Sequence, residues 1–474
     1  MTASALRTSH DEVRPGLHRD PQRRLLGESL PWLLALVFVA MVAAGCSSSD
    51  SAGDGSSDGG GAAVDRAESD GSDSDSSPDD AAMSGELGQG VTDDTITIGL
   101  THLDLDAIRE QGVIDTNHGP MAEHMQAMLD HINAEGGVGG RTLEMVVAPY
   151  DPIDATASQA ACLELTEDNE VFAVLGGVRG DGVLCYTEQH ETIAITHSGL
   201  TQERLARANA PYASVSAAAD QQVEAFIADA AERGLFDGLT VAVASLDAVD
   251  MGRDVAVPAL EAAGVDVAFE SFPDGDGTVG GAAGALSVDI ESMRQRDVDA
   301  VVMVGDAIVS TNTLITEDFT PTLFLTEFGS TQAVAGRADL SVFPAVYTHG
   351  GITDVQRFEE PVFQDECAAV WNAAHPDDPV LNPSEVESGE PNHTVGLGNV
   401  CRPLAIFVAA AEAAGPTLNN DTFQAALDDL GPVHLPGLGA GSVSAGKYGA
   451  QDEMLTYEFD PARSTSDQGF AVLE

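Results

Sequence analysis

The chain has 474 residues with 20 basic and 77 acidic side chains, so its formal net charge is −57. Such a surface repels phosphate backbones and anionic lipid headgroups, which excludes sequence-independent nucleic-acid binding and attachment to a membrane by charge alone. The apolar fraction of 43% is ordinary for a globular protein, so the acidity does not imply disorder throughout. The length predicts two or three domains.

Residues 1–45 have the pattern of an export signal. Arginines, including Arg23 and Arg24, precede an apolar run at 30–44, which is shorter than the roughly 20 residues of a spanning helix. The run ends in Ala-Ala-Gly-Cys at 43–46, which resembles a bacterial lipobox with Ala43 in place of leucine. That resemblance implies cleavage before Cys46, its diacylation, and a protein held outside the cytoplasm on the bacterial cell membrane. Twin-arginine export and an uncleaved anchor helix remain open alternatives.

Residues 46–92 are predicted to be a linker that follows the lipidated cysteine. Between 47 and 90 there are twelve Ser, nine Gly and eleven acidic residues against one Arg. This composition cannot bury enough apolar surface to offset the entropy lost on ordering. We therefore expect a flexible spacer that is extended by its own charge repulsion.

Four cysteines follow Cys46. An even number in an exported protein suggests two disulfides, for which three pairings are possible. We predict the sequential pairing, Cys162–Cys185 and Cys367–Cys401. None of the spacings is a C-x-x-C motif, so no metal site is expected.

From residue 93 onwards the pattern alternates between strands and helices. Short Val-, Ile- and Ala-rich runs predict strands at 96–100, 143–148, 171–175, 193–196, 239–244, 265–269, 300–304 and 322–325. A 3.6-residue periodicity predicts helices that include 120–134, 155–165, 221–233 and 255–263. Near-continuous apolar strands between helices indicate parallel sheets covered on both faces. Two such runs, divided near 213–220, predict an α/β protein with two Rossmann-like lobes.

Residues 133–141, Asn-Ala-Glu-Gly-Gly-Val-Gly-Gly-Arg, combine a helix end with glycines suited to left-handed caps and a tight entry into the next strand. Together with the opening strand at 90–99 and the Ala-rich block at 407–430, this motif resembles the type I periplasmic binding proteins. The resemblance is to their branched-chain amino acid class, the receptors of ABC transporters. Cys162 and Cys185 are similar to a disulfide pair that many members carry.

The resemblance extends over 91–474 and implies two lobes joined by a hinge of three crossovers. By analogy, lobe one is expected at 93–214 and 345–430, and lobe two at 215–344 and 431–474. The family binds a small ligand between its lobes.

Ligands of open parallel sheets bind at the carboxyl ends of the strands, against helix N-termini. In lobe one, the glycine-rich turn at 176–181 offers backbone N–H groups, and Arg179 offers a bidentate hydrogen bond to a carboxylate. The resemblance implies ligand-binding hydroxyl and backbone groups at 197–199. The lobe-one candidates are Thr101, Asp104, Gly177, Arg179, Gly180, Thr196, His197 and Ser198.

In lobe two, the corresponding loops lie at 245–252, 305–306 and 326–329. The resemblance implies that an acidic residue there pairs with a ligand ammonium, and we choose Asp306 and Glu327. The tyrosines that the family often supplies on these loops are absent, and Met251 and Phe328 are their apolar substitutes. The remaining lobe-two candidates are Asp247 and Asp250.

These observations favour a lipid-anchored, monomeric receptor that captures a small polar solute, amino acid or amide-like, and delivers it to an ABC permease. A sensing receptor of the same fold is the first alternative. A lipoprotein enzyme is the second, and it is disfavoured because the sequence has no nucleophile elbow, metal-ligand set or cofactor fingerprint. We therefore expect neither enzyme activity nor a cofactor. Residues 91–474 carry 14 basic and 62 acidic side chains, which suggests a saline habitat.

Overall fold

The computed structural model describes residues 85–110, 116–151, 154, 156–178, 180–273, 279–305, 307–335, 338–463 and 469–473. The predicted signal segment, Cys46 and most of the predicted linker lie outside these residues. The site candidates Arg179 and Asp306 also lie outside them.

Lobe one contains a sheet of five parallel strands. They are β1 (Thr95–Leu103), β2 (Thr142–Tyr150), β3 (Ala173–Gly176), β4 (Ile193–Thr196) and β5 (Tyr212–Ser214). Their order across the sheet is β2–β1–β3–β4–β5. The first helices of this lobe are α1 (Leu105–Glu110), α2 (Met121–Ala134), α3 (Ala157–Leu163) and α4 (Gln202–Arg207). Their placement between consecutive strands is the doubly wound arrangement predicted from the alternating pattern.

Lobe two begins after β5. Its helices are α5 (Ala219–Glu232), α6 (Val249–Met251), α7 (Val257–Ala262), α8 (Val279–Arg294), α9 (Ala307–Thr316) and α10 (Phe328–Ala335). Its parallel strands are β6 (Val241–Ala244), β7 (Val267–Ser271), β8 (Ala300–Met303), β9 (Thr322–Leu325) and β10 (Val346–Gly350).

The chain then returns to lobe one. The helices of this segment are α11 (Asp354–Glu359), α12 (Ala369–Ala374), α13 (His393–Ala414) and α14 (Asn420–Asp428). A hairpin of β11 (Gly431–Leu435) and β12 (Gly439–Val443) follows, and then β13 (Leu455–Phe459) and β14 (Phe470–Val472). The last two strands extend the lobe-two sheet, whose order is β14–β13–β10–β9–β8–β6–β7.

Short helical segments of other types complete the described part. Four are π-helical: Glu164–Asp168, Cys185–Gln189, Gly252–Ala256 and Phe363–Ala368. Four are 3₁₀ turns: Gly180–Gly182, Leu340–Val342, Pro383–Glu385 and Pro461–Arg463.

The glycine-rich motif after α2 is a tight turn that anchors lobe one. Gly137 has φ +71°, and a Cβ at this position would overlap the carbonyl of Arg141. The Arg141 guanidinium donates to the carbonyls of Thr92 at 2.8 Å and Pro416 at 2.7 Å. The turn therefore joins the entry to β1 to the segment after α13.

Helix α13 is the central helix of lobe one. It is long and apolar enough to cross a membrane, but 72% of its apolar window is buried inside the fold. Phe407 on this helix packs with Phe172 and Phe423 at ring-centroid distances of 5.8–6.3 Å. Each fully buried side chain of this size contributes about 1.5–3 kcal/mol. The helix is thus a core element of lobe one.

Three crossovers connect the lobes, as predicted. The first follows β5, the second follows β10 and the third follows the β11–β12 hairpin. The first and third are hydrogen-bonded, because the Ser214 amide donates to the Tyr448 carbonyl and the Ala450 amide donates to the Ser214 carbonyl, both at 2.8 Å. This pairing makes the first and third crossovers a short hydrogen-bonded ribbon between the lobes.

Two of the expected lobe boundaries differ from the structure. Lobe one was expected to resume at 345, but β10 pairs with β9 and β13 inside the lobe-two sheet. Lobe two was expected to resume at 431, but Val433, Leu435 and Val443 of the hairpin belong to the lobe-one core. The boundaries lie instead near 351 and 451. The expected boundaries rest on analogy with the family. The sequence analysis predicts no strand at β10, so it could not assign this segment to the lobe-two sheet.

The two disulfides join the cysteines that the sequential pairing predicts. The Cα atoms are 6.3 Å apart in Cys162–Cys185 and 6.4 Å apart in Cys367–Cys401. Cys162, Cys185 and His190 are the one group of three potential metal ligands that lies close together among the described residues. The first disulfide consumes both thiolates of this group, so it cannot supply the ligands that zinc requires.

Candidate functional site

A cavity of about 450 Å³ opens at the carboxyl edge of the lobe-one sheet. It is lined by residues that follow β1, β3 and β4, by the segment between α1 and α2, by Asn399 of α13, and by Glu327 of lobe two. We call this cavity the cleft. Its lining comprises His102, Leu103, Asp104, Leu105, Asp106, Arg109, Asn117, His118, Gly119, Pro120, Met121, Ala122, Glu123, Gly177, Val178, His197, Ser198, Glu327 and Asn399.

Five of the predicted site residues line the cleft: Asp104, Gly177, His197, Ser198 and Glu327. Four of them follow strands β1, β3 and β4, and Glu327 follows β9. Parallel strands align their carboxyl ends at one edge of a sheet, so loops distant in the sequence meet there. The rule therefore explains why these five residues lie together, and their role in binding a ligand stays a prediction.

Gly177 and His197 form the floor of the cleft. A Cβ on Gly177 would lie 2.7 Å from Nε2 of His197, so the imidazole packs directly against the glycine backbone. The Gly177 amide donates to the carbonyl of Thr101 at 3.0 Å, which fixes the turn after β3. Burial, reinforced by the nearby charges of His118 and Arg402, lowers the pKa of His197 to about 4. The ring is therefore neutral at pH 7 and offers one donor and one acceptor.

His102 and His118 line the cleft and were missed from the sequence. Burial lowers the pKa of His118 to about 4, although the Asp354 carboxylate opposes this shift. His102 places Nδ1 3.0 Å from the carbonyl of Leu103. His102 stands between the predicted residues Thr101 and Asp104, so the strand-end rule could have found it. His118 precedes α2 and follows no strand, so the rule gave no signal for it.

The loop that carries His118 is held from behind by the N-terminus of α13. The Asn117 side-chain amide donates to the Gly389 carbonyl at 3.0 Å, and the Asn392 amide donates to the Asn117 carbonyl at 2.8 Å. Behind the loop, His124 Nε2 lies 2.9 Å from His393 Nδ1. These bonds position the wall of the cleft on an element that is distant in the sequence.

Acidic side chains dominate the charge of the cleft. Asp104, Asp106, Glu123 and Glu327 line it, whereas Arg109 is its one basic residue among those described. Arg109 forms an ion pair with Asp106 at 2.9 Å. Carboxylates accept hydrogen bonds, and an ionised carboxylate bonds a cationic donor about twice as strongly as a neutral pair does. The cleft can therefore bind groups that carry N–H donors.

Three lobe-one candidates do not line the cleft. Thr101 is fully buried and donates through Oγ1 to the Ala148 carbonyl at 3.0 Å, so its side chain joins β1 to β2. Thr196 is 2% exposed at the end of β4. Gly180 begins a 3₁₀ turn, with the Arg204 guanidinium nearest to it. These residues support the loops and do not reach the cavity.

The described lobe-two candidates other than Glu327 do not line the cleft. The side chain of Asp250 is 84% exposed and pairs with Arg253 at 3.6 Å. Met251 packs at the edge of the lobe-two core, and Asp247 lies beside Gly305. Phe328 stacks on Tyr457 with ring centroids 4.9 Å apart. The apolar residues expected to replace the family's tyrosines thus serve the core of lobe two.

Comparison with known proteins agrees with this geometry. Residues 108–322 match the sequence profile of the periplasmic binding proteins. The match covers 215 of the 474 residues, slightly less than half of the chain. No curated protein sequence matches the chain.

Solved structures of solute-binding proteins share the fold of this chain. An ABC-transporter substrate-binding protein from Desulfitobacterium hafniense, in complex with Leu, is 15% identical, with a TM-score of 0.54 over 80% of this chain and 100% of that one. A fatty acid ABC-transporter protein from Thermomonospora curvata is 15% identical, with a TM-score of 0.56 over 82% and 94%. A solute-binding protein from R. palustris, in complex with benzoate, is 14% identical, with a TM-score of 0.54 over 80% and 95%. This likeness confirms the predicted two-lobed type I fold.

Proposed function

We propose that the protein is an extracytoplasmic receptor that encloses one small polar solute in the cleft and delivers it to an ABC permease. One observation carries the proposal: a cavity of about 450 Å³ lies at the carboxyl ends of three parallel strands and receives Glu327 from the opposite lobe. This volume is within the range of small-molecule sites. The edge of the sheet is where open α/β folds bind ligands.

The lining favours an amino acid or amide-like solute with N–H donors. Four carboxylates face one arginine, and that arginine is already paired with Asp106. The similar structures include one with Leu and one with benzoate, so the fold itself accepts both amino acids and aromatic acids. The acidic lining makes an anionic aromatic acid the weaker candidate, because its carboxylate would meet like charge.

Closure of the lobes would bury the solute. The crossovers near 351 and 451 and the segment after β5 are the positions that absorb a hinge motion in two-lobed binding proteins. Glu327 would then move with lobe two against Ser198 and His197 on lobe one. A closed cleft is the form that a permease would recognise.

We propose that a lipid on Cys46 anchors the protein to the outer face of the cell membrane. Cys46→Ser removes the acyl acceptor, so the protein should move from the membrane fraction to the soluble fraction. Ser47→Ala is the matched control and should stay with the membrane. Membrane retention of the Cys46→Ser protein would contradict the anchor without bearing on the cleft.

A thermal-shift screen followed by calorimetry tests the proposed function. The panel holds amino acids, amides, urea, polyamines, fatty acids and aromatic acids, and each is incubated with the protein and analysed afterwards for chemical change. We expect one solute to bind at a one-to-one ratio, unchanged after incubation. Ser198→Ala should weaken that binding about tenfold, since a lost buried hydrogen bond costs roughly 1–3 kcal/mol. Turnover of a solute, or no binding by any member, would contradict the proposal.

A further inference from the structure

Two arginines of lobe one, Arg402 buried and Arg357 partly buried, each have a buried N–H group without a partner among the described residues. Arg402 of α13 is 4% exposed, and its Nε donates to the Pro436 carbonyl at 2.8 Å. Its Nη2 is buried and has no partner among the described residues. Arg357 of α11 has a side chain that is 14% exposed, and its buried Nε likewise lacks a partner there. A buried donor without an acceptor costs about 1–3 kcal/mol, and more when the group is charged.

The fold makes room for both guanidinium groups. A Cβ on Gly398 would overlap Nη2 of Arg402, and a Cβ on Gly437 would overlap Cγ of Arg357. Pro436, whose carbonyl accepts from Arg402, directly precedes Gly437. Both arginines therefore meet at the turn of the β11–β12 hairpin, and each occupies space that a glycine leaves open. Their positions are built into the local structure.

Negative charge at this site is insufficient. Burial and the neighbouring Arg357 guanidinium lower the pKa of Arg402 well below its usual value, and Asp354 is the carboxylate that opposes this shift. Asp354 is already bonded to Nη1 of Arg357 at 2.8 Å. Glu360, the next carboxylate at the turn, accepts from the Gly437 amide at 3.0 Å and the Phe363 amide at 2.7 Å. Two guanidinium groups thus share one carboxylate, and an unbalanced buried charge costs several kcal/mol.

The histidines near this site cannot supply the missing charge. His197 lies within the field of Arg402, and His118 lies within the field of Asp354. Both have a pKa of about 4, so both are neutral at pH 7 and contribute no net charge to the site. A water molecule could accept from one N–H group, but it would leave the charge unbalanced.

We propose that Arg357 and Arg402 bind a small inorganic anion of the halide class. The anion would accept from Nη2 of Arg402 and Nε of Arg357 and would balance the second guanidinium. Helix α11 begins four residues after β10 ends, so the site lies where the second crossover enters lobe one. Anion binding would therefore stabilise the attachment of α11 and the hairpin turn to α13.

Chloride is the probe, and the solute-free protein is used so that a solute carboxylate cannot occupy the site. Thermal unfolding is measured at fixed sodium concentration and ionic strength, while gluconate is replaced by chloride. We expect a saturable rise in melting temperature of about 2–4 °C. Arg402→Gln should abolish the chloride-specific rise. Arg463→Gln, at an exposed arginine paired with Asp460, should retain it.

Crystals of the unaltered protein grown in bromide provide a second test, which does not depend on whether Arg402→Gln folds. We expect an anomalous peak between the two guanidinium groups. Equal melting temperatures of the unaltered protein in chloride and gluconate would overturn the proposal. A bromide data set with no peak at this site would also overturn it. Either result leaves the solute-binding proposal untouched, because that rests on the cleft.

Discussion

The two lobes contribute very different numbers of residues to the lining of the cleft. Lobe one contributes eighteen of the nineteen lining residues, from three strand ends, the loop before α2 and α13. Lobe two contributes Glu327. The histidines, the glycine floor and the asparagines all belong to lobe one. Lobe one thus forms almost the whole lining of the cleft, and lobe two supplies one charged side chain to it.

The same contrast appears in the supporting structure. The lobe-one loops are joined by hydrogen bonds such as Asn117 to Gly389, which hold the wall in place. Of the described lobe-two candidates other than Glu327, Phe328 packs inward on Tyr457 and Asp250 faces solvent. Substitutions in the two lobes should therefore have different effects on binding and on stability.

The largest effect is expected at Gly177. In Gly177→Ala the new methyl would lie 2.7 Å from Nε2 of His197, so the imidazole must leave its position on the floor of the cleft. We expect solute affinity to fall about 100-fold, roughly 2.7 kcal/mol, in calorimetry. Gly284→Ala in α8 is the matched control, since a Cβ there has no neighbour within 4 Å. Equal solute affinities of the two variants would contradict the assignment of the solute site to lobe one.

The next largest effect on solute affinity is expected at Glu327. Glu327→Gln keeps the shape of the side chain and removes the charge that lobe two brings to the cleft, so a solute with an ammonium group should bind about tenfold more weakly. Asp250→Asn removes an equal charge from the exposed surface of the same lobe and should leave the dissociation constant unchanged. A larger loss in Asp250→Asn than in Glu327→Gln would reverse the description of lobe two.

The buried histidines of lobe one should lower the free energy of unfolding in acid. Burial holds the pKa values of His118 and His197 at about 4, below the usual value of 6.5 for histidine. The unfolded chain therefore binds more protons between these values, so stability is fully present above about pH 6.5 and declines as the pH falls towards 4. Urea midpoints at pH 7 and pH 5 measure this decline.

Histidine variants test which side chains cause the loss of stability in acid. His118→Gln combined with His197→Gln should reduce the decline between pH 7 and pH 5, to which the buried His124, with a pKa of about 3, also contributes. His131→Gln, at a half-exposed histidine near Glu135, should keep it. An unchanged decline in the double variant would show that other groups carry the acid sensitivity.

The smallest effect on binding is expected at Phe328. Phe328→Leu loses the stacked contact with Tyr457, and aromatic pairs contribute about 0.5–1.5 kcal/mol beyond their buried area. Stability should fall by about that amount in urea unfolding, while the dissociation constant of the solute is retained. A tenfold loss of affinity with unchanged stability would place Phe328 in the site after all.

Sequence reasoning succeeded where a local pattern is tied to one geometry. Strand β4 lies at 193–196 as predicted, because the short run Ile-Ala-Ile-Thr between turns fits a fully buried strand. Asp104, Gly177, His197 and Ser198 lie together in the lining of the cleft because the carboxyl ends of parallel strands share one edge. The glycines at 136–140 were identified as a helix end, and the structure gives that turn positive φ angles.

Sequence reasoning failed where the fold joins distant segments. Asn399 reaches the cleft from the middle of α13, which lies some 200 residues beyond the other lobe-one loops, and no strand end marks it. His118 depends on the contact between its loop and the α13 N-terminus. On lobe two, Met251 and Phe328 follow strands but turn towards the core, since side-chain direction within a loop is not set by sequence spacing.

A crystal structure of the protein with the tightest-binding solute from the screen tests the central claim most directly. We expect electron density for the solute in the cleft. The solute should contact His197, Ser198 and Asn399 on lobe one and Glu327 on lobe two. Solute density against Asp250 and Met251, with no contact to the lobe-one residues, would contradict it.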